Sequence, residues 1–298
     1  MKSTVEVFES ILSKNDKAAA KIRADFNARG LLAINLMSSP GAGKTTLLER
    51  TIKELGKKSV KIGVVEGDLE TNKDADRIIG AGAKAYQITT GQSCHLDADM
   101  VKVGLDNLPL DKLDLLFVEN VGNLVCPASY DVGTHANVVL LSVPEGDDKI
   151  PKYPVMFRRS DLVIITKVSL IEHFDFSIER AKSELAKLNP LSKLIALDSK
   201  TGEGFEAWIE FIAEQKALLK KVNFSGILEF PIKRNPLTPR KLEFPSARNS
   251  RFYNYFFVVL KIKVKLLFQR HINFIFYFIF LLYNFVLKSN CIFEKYDE

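Results

Sequence analysis

The run Ser38-Ser39-Pro40-Gly41-Ala42-Gly43-Lys44-Thr45-Thr46 carries the residue types that grip a triphosphate. Gly41 and Gly43 let the backbone turn its N–H groups toward one point, where phosphate oxygens can accept them. A helix opening at Lys44 would add the partial positive charge of its N-terminus. Lys44 is spaced to reach the β- and γ-phosphates, and Thr45 to ligate Mg²⁺. The nucleotide-binding candidates of this loop are Ser39, Gly41, Ala42, Gly43, Lys44, Thr45 and Thr46. Only Ser38, standing where G-x-x-x-x-G-K-[ST] has its first glycine, departs from the pattern.

Phosphate chemistry also needs a carboxylate to help hold the metal ion and position water. Two acids sit at the ends of apolar runs: Asp68 in VVEGDLET and Glu119 in LLFVENVGN. The second stretch is built like a D-x-x-G switch with Glu for Asp, so Gly122 would offer its N–H to the γ-phosphate. Magnesium candidates are therefore Thr45, Asp68 and Glu119, and catalytic candidates are Lys44, Thr45 and Glu119.

A third stretch would lie against the base. GTPases read guanine with N-K-x-D after a late strand; here the residues are Thr166, Lys167, Val168 and Ser169. The Lys167 stem could pack on the base, but Ser169 replaces the carboxylate that accepts from guanine N1–H and the N2 amine. Each charge-assisted hydrogen bond contributes about 1.5–3 kcal/mol. Losing two weakens guanine preference by roughly tenfold to several-hundredfold. Ser169→Asp is then expected to sharpen discrimination against ATP. LDSKTGEG supplies the last base-side loop, with Ser199 and Lys200 nearest the base.

The remaining chemistry is soft-ligand chemistry. Cys94 and His95 adjoin in TTGQSCHLDADM, and Cys126 follows the Glu119 switch directly. Such ligands suit Zn²⁺ or Ni²⁺. Three ligands leave the site incomplete, and pairing across a two-fold axis could complete it.

Near-continuous apolar runs at 31–37, 60–66, 113–119, 137–143, 161–167 and 192–198 read as strands buried on both faces. Helical stretches such as 44–56, 97–107, 175–188 and 203–219 alternate with them. The result is an α/β chain with a doubly wound, mostly parallel sheet, whose ligands sit at the carboxyl ends of the strands. Each motif above follows a strand. An amphipathic helix is expected over 1–29, with Val5, Phe8, Ile11, Leu12, Ile22 and Phe26 on its apolar side. The nucleotide-binding domain would span 30–221, followed by a Pro-containing linker at 222–250 and an aromatic, basic tail at 251–298.

Composition narrows the partners. The chain has 298 residues, 47% of them apolar, and a net charge of +6. Residues 222–298 carry 12 Lys/Arg against 5 Asp/Glu, leaving 30 basic against 31 acidic residues elsewhere. The main body therefore has no electrostatic footprint for nucleic acid. The N-terminus lacks a secretory signal, and three cysteines make no disulfide scaffold, which points to the cytoplasm. The apolar run 272–287 would span about 24 Å as a helix, short of a bilayer core of roughly 30 Å, so no membrane anchor is expected. With 13 of the chain's 21 Phe, the stretch 222–298 has the composition of a frameshift or read-through of AT-rich DNA, and no function is assigned to it.

Together LMSSPGAGKTTLLE, VVEGDLETNKDADRI, TTGQSCHLDADMV, LLFVENVGNLVCPASYDVG, LSVPEGDDK, KYPVMF and TGEGFEAW resemble the HypB family over residues 5–217. These are GTPases that assist nickel insertion into [NiFe] hydrogenase. The resemblance implies a P-loop fold of the SIMIBI GTPase type, Mg²⁺ with GTP, slow hydrolysis and a homodimer that forms or tightens with nucleotide. It further implies an interfacial metal site from Cys94, His95 and Cys126, a HypA-type metallochaperone as partner, and a hydrogenase large-subunit precursor as client. Two alternatives stay open. One is a urease-type nickel-insertion GTPase, although the Cys-Pro-His run expected there is absent. The other is a dimeric metal-binding module with degraded nucleotide specificity. Neither the N-terminal cysteine cluster nor the histidine-rich stretch of many relatives is present, so nickel storage is not expected.

Overall fold

The computed structural model describes residues 4–68 and 73–224, with side chains for 10–68 and 73–221. The elements run α1 (Thr4–Arg29), β1 (Leu32–Ser38), α2 (Lys44–Gly56), β2 (Ile62–Asp68), α3 (Lys73–Gly80), β3 (Lys84–Thr89), α4 (Ala98–Asp106) and β4 (Leu115–Glu119). There follow β5 (Ala136–Ser142), α5 (Lys149–Lys152), α6 (Pro154–Arg158), β6 (Leu162–Thr166), α7 (Ile178–Leu188), β7 (Lys193–Ala196) and α8 (Phe205–Phe224). The linker expected beyond α8, the tail, Cys291 and the apolar run 272–287 lie outside the described residues. Among the described residues no helix is long and apolar enough to cross a membrane.

Seven strands form one sheet in the order β3-β2-β4-β1-β5-β6-β7, and every pairing is parallel. From central β1 the chain builds β2, β3 and β4 on one side, then β5, β6 and β7 on the other. The winding direction reverses at β1, which opens a crevice at the carboxyl ends of the strands. Strands β1, β4 and β6 are buried at every position, which is why they read as unbroken apolar runs. Strand β3 was not expected. Its sequence KAYQIT mixes polar with apolar residues because it forms a half-exposed edge of the sheet.

Alternation along β1 splits the core. Leu32, Ile34 and Leu36 face α2 and α8, packing with Leu47, Leu48, Ile52, Trp208 and Phe211. Ala33 faces α1 and α4, among Ile22, Phe26, Val101 and Leu105. A further cluster packs β5 and β6 against α5, α6 and α7 through Ile150, Phe157, Ala181 and Leu185. Trp208 is fully buried, and its indole N–H donates to Thr51 Oγ1 on α2 at 2.9 Å.

Helix α1 buries Ala19, Ile22 and Phe26, whereas Ile11, expected on the same face, is 48% exposed. Polar contacts fasten the helix. Arg23 Nη2 meets both carboxylate oxygens of Asp131, at 2.6 and 2.7 Å, and Arg23 Nε donates to the Thr134 carbonyl. Asn15 accepts from the Ala98 N–H and donates to the Asp131 carbonyl, both at 2.9 Å. One helix thus holds the start of α4 and the loop after β4, the neighbourhoods of Cys94 and Cys126.

Candidate functional site

Ser38 ends β1, and the chain turns through residues 39–43 into α2. Gly41 and Gly43 have φ of 74° and 99°, in the left-handed region where a side chain is strained. A Cβ on either would meet no neighbour within 4 Å, so backbone geometry rather than crowding requires glycine, and the space above the loop is open. Buried Lys44 donates to the Ser38 hydroxyl at 3.1 Å. Ser38 thus serves as a polar rest for the lysine where a glycine would offer none. Ser39, at the loop's entry, donates to Glu145. Thr46, one residue past Thr45, accepts from Arg77 at 3.3 Å.

Thr45 donates to Glu119 Oε1 at 2.9 Å, so these two expected magnesium candidates meet. Glu119 Oε2 is buried without a hydrogen-bond partner. Burial pushes the Glu119 carboxyl up to about 6, with Lys44 and the Thr45 hydroxyl opposing. Beside it lies an acid the sequence reasoning passed over. Glu66 is the register partner of Glu119 on β2, is buried, and also leaves Oε2 without a partner. Burial, and then the charge of Glu119, pushes Glu66 up to about 8. Asp68, the residue chosen from sequence, ends β2 near enough for its charge to contribute to that shift. Two orphaned carboxyl oxygens, a hydroxyl and a nearby ammonium make a site that fits a hard divalent cation with phosphate oxygens.

After β4 the chain runs close to the phosphate loop. A Cβ on Gly122 would lie 2.9 Å from Pro40 Cα and N, so only glycine allows this approach. Fully buried Asn120 accepts from the Leu96 and Val121 N–H groups, each at 3.0 Å. Asn123 donates to the Cys94 carbonyl at 3.3 Å. The switch segment is therefore bonded at two points to the Cys94–His95 loop.

Cys94, His95 and Cys126 come together: one ligand atom from each lies within 4.8 Å of the others. His95 stacks on Tyr130 with ring centroids 3.9 Å apart, and its Nδ1 is 3.9 Å from Cys94 Sγ. Burial holds the imidazole below its ordinary pKa, which favours the neutral, metal-ligating form. The Cys94 side chain and burial push the Cys126 thiol up. A cation would relieve the crowding of two thiolates, and this donor set fits borderline metals.

On the base side, Thr166 donates to the Ala42 carbonyl at 2.7 Å, and Lys167, with φ 60°, donates to the Gly41 carbonyl at 2.8 Å. Both tie the end of β6 to the phosphate loop. Ser169 donates to Asp198 Oδ2 at 2.5 Å. Asp198, also passed over in the sequence, accepts from the Lys200 and Thr201 N–H groups at 2.7 and 3.1 Å and shapes the loop of Ser199 and Lys200. The carbonyls of Ser199 and Lys200 accept from Arg50 on α2, both at 3.2 Å.

Residues 32–196 match the family model described as CobW/HypB/UreG, nucleotide-binding domain. The hydrogenase/urease maturation factor HypB of Helicobacter pylori (strain ATCC 700392 / 26695) is 48% identical over 219 residues, covering 72% of this chain and 89% of that protein. The hydrogenase maturation factor HypB of Escherichia coli (strain K12) is 45% identical over 212 residues, 71% of this chain and 73% of that protein. Among solved structures, Helicobacter pylori HypB in complex with nickel superposes with a TM-score of 0.66 at 47% identity, covering 68% of this chain and 95% of that one. Archaeoglobus fulgidus HypB superposes with a TM-score of 0.64 at 43% identity, covering 69% of this chain and all of that one. Similarity of this extent in sequence and fold means that the chain belongs to the HypB family, a group of P-loop nucleotide-binding proteins.

Proposed function

We propose that this chain is a slow GTPase that switches a nickel-transfer site and assists nickel insertion into [NiFe] hydrogenase. The observation that carries the reading is the bonded path from phosphate pocket to thiol cluster. Glu119, Asn120, Gly122, Asn123 and Cys126 lie on one continuous segment. Two of them are hydrogen-bonded to the loop of Cys94 and His95. The names of the relatives support hydrogenase, and for some also urease, as the destination.

Lys44 donates to Ser38 and Thr45 donates to Glu119. Triphosphate would draw the Lys44 ammonium onto its β- and γ-oxygens, while the N–H groups of 41–46 close around the phosphates. Thr45, Glu119 and Asp68, with Glu66 beside them, would hold Mg²⁺. When bound, Mg²⁺ neutralises charge building on the β- and γ-oxygens as the phosphoryl group transfers. Gly122, already against Pro40, is placed for its N–H to follow the γ-phosphate. Its departure after hydrolysis would release Gly122 and, through Asn123, the Cys94 carbonyl.

Nickel is cargo in this scheme. Three ligands make an incomplete shell, and a second copy of the chain would supply the rest, which supports a nucleotide-dependent homodimer. Zn²⁺ would compete for the same ligands. The partners in the reading are a HypA-type metallochaperone and a hydrogenase large-subunit precursor in the cytoplasm, a compartment in which Cys94 and Cys126 remain free thiols. The test is Ni²⁺ affinity of the full chain with Mg²⁺-GDP and with a non-hydrolysable GTP analogue. A shift of about fivefold or more is expected; equal affinity in both states overturns the coupling.

A further inference from the structure

The base-side loop lacks the aspartate expected at position 169, yet a carboxylate stands there by another route. Asp198 enters from the loop after β7, which neighbours β6 in the sheet. It is 4% exposed, and its Oδ2 lies 2.5 Å from the Ser169 hydroxyl. Its Oδ1 is occupied by the Lys200 and Thr201 N–H groups, so Oδ2 is left to receive the Ser169 proton. Burial pushes Asp198 up, but the hydrogen bonds from Ser169, Thr201 and Lys200 outweigh it and hold the carboxyl below its ordinary value. Asp198 is therefore ionised at neutral pH and cannot itself donate. That fixes the direction of the pair. Ser169 must donate to Asp198, and its oxygen then presents only lone pairs to the exposed side.

We propose that Ser169 reads the base as an acceptor whose polarity is set by Asp198, so that the pair selects guanine in place of the missing aspartate. Guanine offers donors at N1 and at its N2 amine; adenine offers an acceptor at N1 and meets a second acceptor. The inference rests on the nucleotide-binding reading of the phosphate loop. Position is fixed independently of the pair, because Thr166 and Lys167 bond to the Ala42 and Gly41 carbonyls and hold this loop against the phosphate loop. One consequence runs against the sequence expectation. Ser169→Asp would set a second carboxylate against Asp198 and weaken guanine binding instead of sharpening it.

The experiment is competition of GDP and ADP, with Mg²⁺, for a fluorescent guanine nucleotide on the full chain and four variants. The unaltered chain should prefer GDP at least tenfold. Asp198→Asn can donate to Ser169 and free its proton to face the base, so the preference should fall about tenfold, mostly through tighter ADP binding. Ser169→Ala should lower GDP affinity and narrow the GDP-to-ADP ratio, because both the acceptor for guanine and the acceptor facing adenine N1 are lost. Ser169→Asp should lose GDP affinity, and the exchange Ser169→Asp with Asp198→Ser should regain it. A GDP-to-ADP ratio unchanged in both Asp198→Asn and Ser169→Ala overturns the inference, as does a Ser169→Asp chain with sharper GDP preference. If the unaltered chain binds both nucleotides equally, this inference fails and the phosphate loop stands. If it binds neither, the phosphate-loop reading fails, and this one with it.

Discussion

Glu66 and Glu119 are register partners on adjacent parallel strands, and each buries one carboxyl oxygen without a partner. The charge of Glu119 disfavours ionisation of Glu66. Lys44 supplies a charge that favours ionisation of both. Burial raises both carboxyls, and the Glu119 charge raises Glu66 further.

In the folded chain Glu66 keeps its proton up to about pH 8, against 4.5 for an ordinary glutamate. Between those values the folded state binds more protons than the unfolded state, so stability falls as pH rises. The slope is at most about 1.4 kcal/mol per pH unit. Chemical denaturation with a chelator and no nucleotide should show this decline from pH 5 to 8, and Glu66→Gln should flatten it. An equal slope in both chains refutes the assignment.

Lys44→Ala should lower GTP hydrolysis by roughly 100-fold or more, the scale of removing a charged group from the developing transition state. Among the described residues the lysine donates to Ser38 of its own loop and holds no strand in place, so the sheet should persist. Circular dichroism and phosphate release together check this; undiminished turnover would sink the phosphate-loop assignment.

Cys94→Ala and Cys126→Ala each remove one of the three clustered ligand atoms. Ni²⁺ affinity should drop at least tenfold in either variant, while GDP affinity stays within about twofold. Equilibrium dialysis with both ligands present reads the two effects at once. Unchanged nickel in both variants would leave these cysteines as packing residues.

Gly122→Ala drives a methyl group into the Pro40 backbone at 2.9 Å. The loop must shift, at a cost of about 1–3 kcal/mol. Hydrolysis should fall, and the difference in Ni²⁺ affinity between GDP and GTP-analogue states should shrink toward none. Retention of the full nickel difference would show that Gly122 does not carry the signal.

The sheet was largely readable because strands buried on both faces become unbroken apolar runs. Strand β3 escaped because an edge strand mixes polar and apolar residues. The phosphate loop was readable because its needs are local, two positive-φ glycines and the following Lys-Thr. Glu66 was missed for a different reason. In VVEGDLET the acid nearest the strand end is Asp68, and which acid lies beside Glu119 depends on the pairing of β2 with β4. Asp198 was missed because its partner Ser169 lies on another strand's loop. Asn120 was missed because its amide bonds reach Leu96, 24 residues away. Short-range patterns single out the loops; the contacts between loops appear only once the strand order is known.

The buried indole on α8 has a practical consequence. The chain contains a single tryptophan, and it donates to Thr51 on α2, the helix that opens at Lys44 after the phosphate loop. Tryptophan emission of the whole chain, excited at wavelengths that tyrosine does not absorb, therefore arises from one dry, hydrogen-bonded indole packed behind the phosphate-loop helix. Any slip of that helix along the sheet would change its colour or brightness, giving a label-free optical test of whether nucleotide moves the helix.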